Sequence, residues 1–172
     1  TKYTSAEIQM LTKQKIGKLN FDENAYDGKK LSVQLNAHMV CLANQKENAA
    51  DLLCQILTET RFDDITLLKN LLNQTMMHQQ MVFAGAGHRF ASIRAAAMVT
   101  GACAAVEALY GSTFIQWVKA HCADDDAALQ TLAEQLKALA NKAFAAKRMT
   151  VGISNNAQAL AETVIAAFPA GE

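Results

Sequence analysis

The stretch from Asn44 to Thr100 constrains the chain most, because helical patterns follow one another there with only short breaks. In the first, Ala49, Leu52, Leu53, Ile56 and Leu57 recur at i, i+3, i+4, i+7 and i+8, which places one apolar stripe along a helix. Asn44 with Glu47 three positions on has the spacing of a capping box at its start. Thr58-Glu59-Thr60-Arg61 interrupts the pattern, and Asp63 or Asp64 then offers a short carboxylate to the free amides that open a second helix. That helix is expected to run to about Phe83 and to turn Leu68, Leu71, Leu72, Thr75 and Met76 inward. Gly85-Ala86-Gly87 reads as a helix break, after which His88 to Val99 resumes as an alanine-rich helix suited to close packing.

Around this centre, Tyr3 to Lys15 reads as a short helix capped by Thr4 or Ser5, with Glu7 in its first turn and Gly17 ending it. Ile16 to Asp22 and Leu31 to Leu42 alternate as strands do. Leu31, Val33, Leu35, Ala37 and Met39 are expected inward, like Leu19 and Phe21, with Ser32, Gln34, Asn36 and His38 outward. Tyr26-Asp27-Gly28-Lys29 supplies turn chemistry, so the pair should form an antiparallel hairpin with one wet face. Gly101 to Tyr110 is short and helical or irregular, and Ser112 can cap a helix from Thr113 to His121. Asp124-Asp125-Asp126 starts another, where acidic side chains meet the positive end of the helix dipole. Arg148 to Ser154 is expected as a third strand, and Asn155 or Asn156 as the cap of a last helix from Ala157 to Phe168. The fold class is therefore α+β: a small, mostly antiparallel sheet of about three strands, with about six or seven helices packed on one face. The length of 172 residues suits a single domain over positions 1–172. The thinness of its sheet suggests a fragment of a longer multidomain protein, lacking the first strand and helix of its domain.

Sixteen basic side chains balance sixteen acidic ones, so no net field draws the chain to nucleic acid or to an acidic membrane. Aromatic residues interleave with no basic cluster, which argues against single-strand binding. No apolar run reaches bilayer length and no signal peptide is visible. The expected setting is the cytoplasm of a bacterium or the matrix of an organelle, with neither nucleic acid nor membrane as a partner. Cys41, Cys54, Cys103 and Cys122 form no C-x-x-C pair and are expected as free, shielded thiols. His38, His78, His88 and His121 form neither H-E-x-x-H nor H-x-x-E-H. Gly85-Ala86-Gly87 lacks the third glycine of a nucleotide loop, and the aspartate run lacks the D-x-D-x-D-G spacing of a calcium loop. His88-Arg89 reads as a structural pair and His38 as solvated. No catalytic residue, metal ligand or cofactor is expected in this segment, and no substrate-binding residue is singled out.

Several stretches resemble a known family: LSVQLNAHMVCLANQKENAADLLCQILTETRFDDITLLKNLLNQ, then GHRFASIRAAAMVTG, Glu107, Gly111 and FIQWVK. They are similar to the presequence-protease-like branch of the pitrilysin/insulinase zinc metallopeptidases, in the half downstream of the catalytic one. L-T-E-x-x-F-D-D at Leu57 to Asp64 and G-H-R-F-A at Gly87 to Ala91 share that family's spacing, and the likeness runs over residues 3–168. The resemblance implies a bowl of four similar α+β domains closing around an unfolded peptide. Zinc would be held in the first domain by H-x-x-E-H and a distal glutamate. None of those positions exists here, so no catalytic residue is carried over. The implied role is that of most of the third domain, a non-catalytic part of the chamber wall. Zinc would then belong to the parent protein, and the partners would be its catalytic half and its peptide substrate. Self-association through a bare strand edge is a further expectation. The rival reading is an independent helical protein-interaction module with no protease attached.

Overall fold

In a computed structural model, which describes residues 3–154 and 158–170, the first local signal acts as its chemistry predicts. Thr4 caps α1 (Ser5–Lys15): its hydroxyl accepts the Glu7 amide at 3.3 Å while the Glu7 carboxylate accepts the Thr4 amide at 2.7 Å. The strands β1 (Lys18–Tyr26) and β2 (Ser32–Val40) follow as a two-stranded antiparallel sheet. Seven helices account for most of the other described residues, and the fold is α+β. After α1 they are α2 (Lys46–Thr58), α3 (Ile65–Ala96), α4 (Gly101–Tyr110), α5 (Ser112–His121), α6 (Asp126–Ala143) and α7 (Gln158–Ala166).

Three local expectations need correction. The Asn44–Glu47 box does not form, because a 3-10 turn over Ala43–Gln45 takes up that stretch and α2 starts at Lys46 without a side-chain cap. The glycine-flanked break is one non-helical residue, Ala86 (φ −135°, ψ 34°), inside an otherwise continuous helix of 32 residues. Arg148–Ser154 is not a strand. The Ala146 amide is taken by the Pro169 carbonyl at 2.8 Å, and a 3-10 turn over Ala146–Arg148 engages the next amides. Met149 and Val151 then pack on a cluster of Ala50, Cys54, Val164 and Phe168. Apolar alternation there is satisfied by side-chain burial rather than by a ladder. The expected last helix begins at Gln158, and its proposed caps Asn155 and Asn156 lie outside the described residues.

The chain divides into two compact units. The first comprises Thr1–Asn20, His38–Asp63 and Leu132–Glu172. Its organiser is α2, which buries two sides. Ala49 and Leu52 pack with Ile16, Leu11, Leu19 and Met39, while Ala50 and Cys54 pack with Val164 and Phe168. The paired alanines keep the middle of α2 thin enough for neighbours to approach on both sides. Leu52 is buried to 3% exposure, so truncating it to alanine would cost about 2–5 kcal/mol.

The second unit comprises Phe21–Ala37 and Asp64–Thr131. Its buried apolar residues are Leu72, Phe90, Val118 and Leu129, with the Phe83 and Phe90 rings 5.1 Å apart. The hairpin shows the expected alternation, and Leu19 and Met39 pack inward as expected, but toward the turn it is the polar side that is the more covered. The Asp22 carboxylate accepts the Asn24 amide at 2.8 Å and, across the strands, the Asn36 amide at 3.1 Å. These polar residues are half-buried, whereas Phe21, Val33 and Leu35 on the other face are 45%, 53% and 46% exposed. Alternation fixes two faces but not which one is covered. A polar face whose groups bond one another tolerates partial burial.

Candidate functional site

The most constrained polar cluster of the second unit is the corner where α3, α4 and α5 meet. Ser112, expected as the cap of α5, is instead its first residue and its hydroxyl donates to Glu107; Gly111 precedes α5 and has no side chain to cap it, so the first amides of α5 need an acceptor from elsewhere. Glu107, in the last turn of α4, supplies it. One carboxylate oxygen, Oε1, accepts the Ser112 hydroxyl at 2.7 Å and the Thr113 amide at 3.2 Å, with Arg94 Nη1 of α3 at 3.4 Å. Arg94 also donates to the Thr113 hydroxyl at 3.3 Å. Glu107 is only 3% exposed, the one buried charged residue among those described. Its carboxyl is held down at about 2, chiefly by the Thr113 side chain, against the upward push of burial, with help from Ser112, the Thr113 amide and Arg94. The corner also explains Gly111. A Cβ there would sit 2.7 Å from the Glu107 carbonyl oxygen and 2.8 Å from its Cγ, closer than real contacts allow.

The helix α4 is tied to the hairpin at both ends. At its start, Asp27 Oδ1 accepts the Ala102 amide at 3.0 Å and the Thr100 hydroxyl accepts the Cys103 amide at 3.2 Å. At its end, the Tyr110 hydroxyl accepts the Glu23 amide at 3.3 Å and reaches the Glu23 carbonyl at 3.2 Å as well as the Glu23 carboxylate. Its hydrogen bond to that carboxylate, and then burial, raise the phenol above its ordinary range.

Residues that could carry chemistry lie apart. His38 is exposed on β2, and His78 and His88 are exposed on α3. The His121 ring rests on Trp117 at 4.2 Å, its Nδ1 2.9 Å from the Trp117 carbonyl. Among the described residues no three of His, Cys, Asp and Glu gather where they could hold a metal. The four cysteines are free. Cys54 is buried, and burial followed by the nearby Asp51 pushes its thiol up, whereas Cys41, Cys103 and Cys122 are half-buried. In the first unit a cleft of about 190 Å³ is lined by Leu57, Glu59, Phe62, Lys137 and Phe144 among others, and the Thr58 and Thr60 hydroxyls in its lining donate to the Cys54 and Ile56 carbonyls. Asp125 caps α6 by accepting the Ala128 amide at 2.9 Å, so the aspartate run serves as a helix start.

The motif letters are likewise structural. In Leu57–Asp64, Thr58 bonds back to the Cys54 carbonyl at 2.8 Å, Arg61 grips Asp63 at 3.1 and 2.7 Å, and Asp64 caps α3 through the Leu67 amide at 2.8 Å. In Gly87–Ala91, Phe90 is buried against Phe83 while His88 and Arg89 stand exposed, so the expected structural pair does not form. The engaged arginine is Arg94. Sequence reading passed over it, as it did Tyr110 and Glu23. One sign was available: Glu107 is the sole carboxylate between Asp64 and Asp124.

Caps, corners and tethers of this kind belong to a helix-rich α+β segment. The family model described as peptidase M-16C associated matches residues 1–120, more than half of the chain, and the chain belongs to that family. It is thus an associated, non-catalytic segment of the pitrilysin-type peptidases. The matched range ends within α5, so the hairpin and the Glu107 corner lie inside it. No curated protein matches the chain. No helix among the described residues is long and apolar enough to cross a membrane.

Proposed function

We propose that this segment forms part of the peptide-enclosing wall of a zinc-dependent peptidase of the pitrilysin type, supporting the enclosure while another part of the parent chain performs the hydrolysis. The observation that carries the reading is the use of the family-bearing residues. Glu107, Gly111 and Asp64 are engaged in fixing helix ends and corners, which is what a wall needs and a reacting centre does not. Zinc and the groups that activate water would come from the catalytic half of the parent, and the peptide would be a partner shared with it. In the parent enzyme, Gly111→Leu forces α4 and α5 apart at the corner. The expected result is a loss of kcat/KM on long peptides, on the order of tenfold, with zinc content unchanged. The isolated chain, dialysed and assayed with a fluorogenic peptide, is expected to hold no stoichiometric zinc and to cleave nothing. Chelator-sensitive hydrolysis by the isolated chain would overturn the reading, as would a parent enzyme that keeps its full rate and zinc with Gly111→Leu in place.

A further inference from the structure

The helix α3 is kinked within its own length, at Ala86 between Gly85 and Gly87. Sharp bends in helices trace to proline, to glycine or serine pairs, or to an inserted group. No proline occurs in α3, so the glycines are the cause at hand. Neither glycine is there to make room, since a Cβ built at Gly85 or at Gly87 meets nothing within 4 Å. Neither lies in the left-handed region that a side chain would oppose. What glycine adds at both positions is the freedom to leave the helical conformation and return to it.

Two contacts mark the bend. Phe83 and Phe90 are seven positions apart, which is about 10.5 Å along a straight helix. Their ring centroids nevertheless lie 5.1 Å apart, with the planes tilted by 50°. The bend therefore closes toward the face that carries both rings, and the ring pair clasps it. Just beyond, the Ser92 hydroxyl donates to the His88 carbonyl at 3.0 Å, a back-bond of the kind that loosens the helical ladder. The limb after the bend is fixed in place: Phe90 is buried, and Arg94 reaches Thr113 and Glu107 at the corner. In the limb before it, residues 65–85, Leu72 alone is buried.

We propose that Gly85–Gly87 is a hinge, about which the first limb of α3 swings between this bent form and a straight helix in which the two rings part. The bent form has the aromatic contact, and the straight form recovers backbone hydrogen bonds across the bend; the two gains are of the same order. Phe83, 49% exposed, can leave its partner, whereas Phe90 at 5% stays with the fixed limb. The swing displaces the start of α3, which Asp64 caps, relative to the corner at Glu107.

Hydrogen exchange on the chain, read at single amides, tests the hinge. In a straight helix the amides of residues 87–90 find their acceptors four positions back, across the bend. In the native chain they should exchange about tenfold or more faster than those of residues 75–82 in the same helix. Gly85→Ala combined with Gly87→Ala fits without a clash and favours the straight form, so exchange at 87–90 should slow about tenfold or more. Phe83→Leu opens the clasp and keeps a good helix former, and should slow the same amides about threefold. Loss of a merely structural contact would instead speed them. Native exchange at 87–90 no faster than at 75–82 would overturn the proposal. So would exchange that is unchanged or faster in the double glycine variant or in Phe83→Leu.

Discussion

At the scale of single residues, Glu107 poses the question of what holds a charge in place with 3% exposure. The Arg94 side chain is 66% exposed and 3.4 Å away, so its Coulombic attraction is largely screened. The Ser112 and Thr113 donors do most of the holding. Arg94→Ala should therefore cost under about 1 kcal/mol, whereas Glu107→Ala, which uncaps α5, should cost about 1–2 kcal/mol. The carboxyl lies at about 2 in the folded chain against 4.5 ordinarily. A depressed value means stability that is complete above the ordinary value and is lost as pH falls through the folded one. The difference in urea midpoint between the native chain and Glu107→Gln should accordingly shrink from about pH 4.5 to about pH 2. A difference that stays constant over that window would show that the charge of Glu107 contributes nothing. In the sequence, Glu107 and Gly111 stood out only through the family likeness. Arg94 did not, since a basic residue in an alanine-rich helix has no local feature announcing a partner 13 positions on.

At the scale of elements, patterns that depend on nearest neighbours were legible and those that depend on distant packing were not. Thr4 with Glu7, Asp64 and the hairpin turn all act locally, and the structure places them where their spacing implies. The alternation at Arg148–Ser154 is as regular as that of a strand, yet a bond to Pro169 some twenty positions away redirects its backbone. On the apolar side of β2, Met39 packs inward as expected while Val33 and Leu35 are exposed, for a similar reason: only tertiary packing decides which part of a face is covered. The Tyr110–Glu23 tether belongs to the same class, joining positions 87 apart in sequence. Tyr110→Phe removes every hydrogen bond of this tether while keeping the ring. It should lower stability by about 1 kcal/mol, read as a shift in urea midpoint. It should also free the Glu23 amide, so hydrogen exchange at Glu23 should accelerate. Unchanged exchange there would mean that the hydroxyl does not guard the β1 edge.

At the scale of the whole molecule, the two units are built differently, and the cysteines report on each separately. Cys41 and Cys54 belong to the first unit, Cys103 and Cys122 to the second. Both extended hydrophobic clusters lie in the first, where α2 is enclosed by α1 on one side and α7 on the other. The second unit buries Leu72, Phe90, Val118 and Leu129 and leaves Leu67, Leu71, Met77 and Met81 of α3 exposed. Burial of apolar surface is the main favourable term in folding, so the second unit has the smaller reserve against denaturant. Local opening follows such differences in buried contact. Thiol labelling in rising urea should therefore modify Cys103 and Cys122 at a lower midpoint than Cys54, whose burial both shields the sulfur and disfavours the reactive thiolate. In native buffer Cys54 should react slowest of the four, and all four should react after full denaturation without reductant. Mass spectrometry of the labelled peptides separates the sites. A single shared midpoint for all four would mean that the chain melts as one cooperative body, and that the sparse core of the second unit is no weaker than the enclosed one around α2.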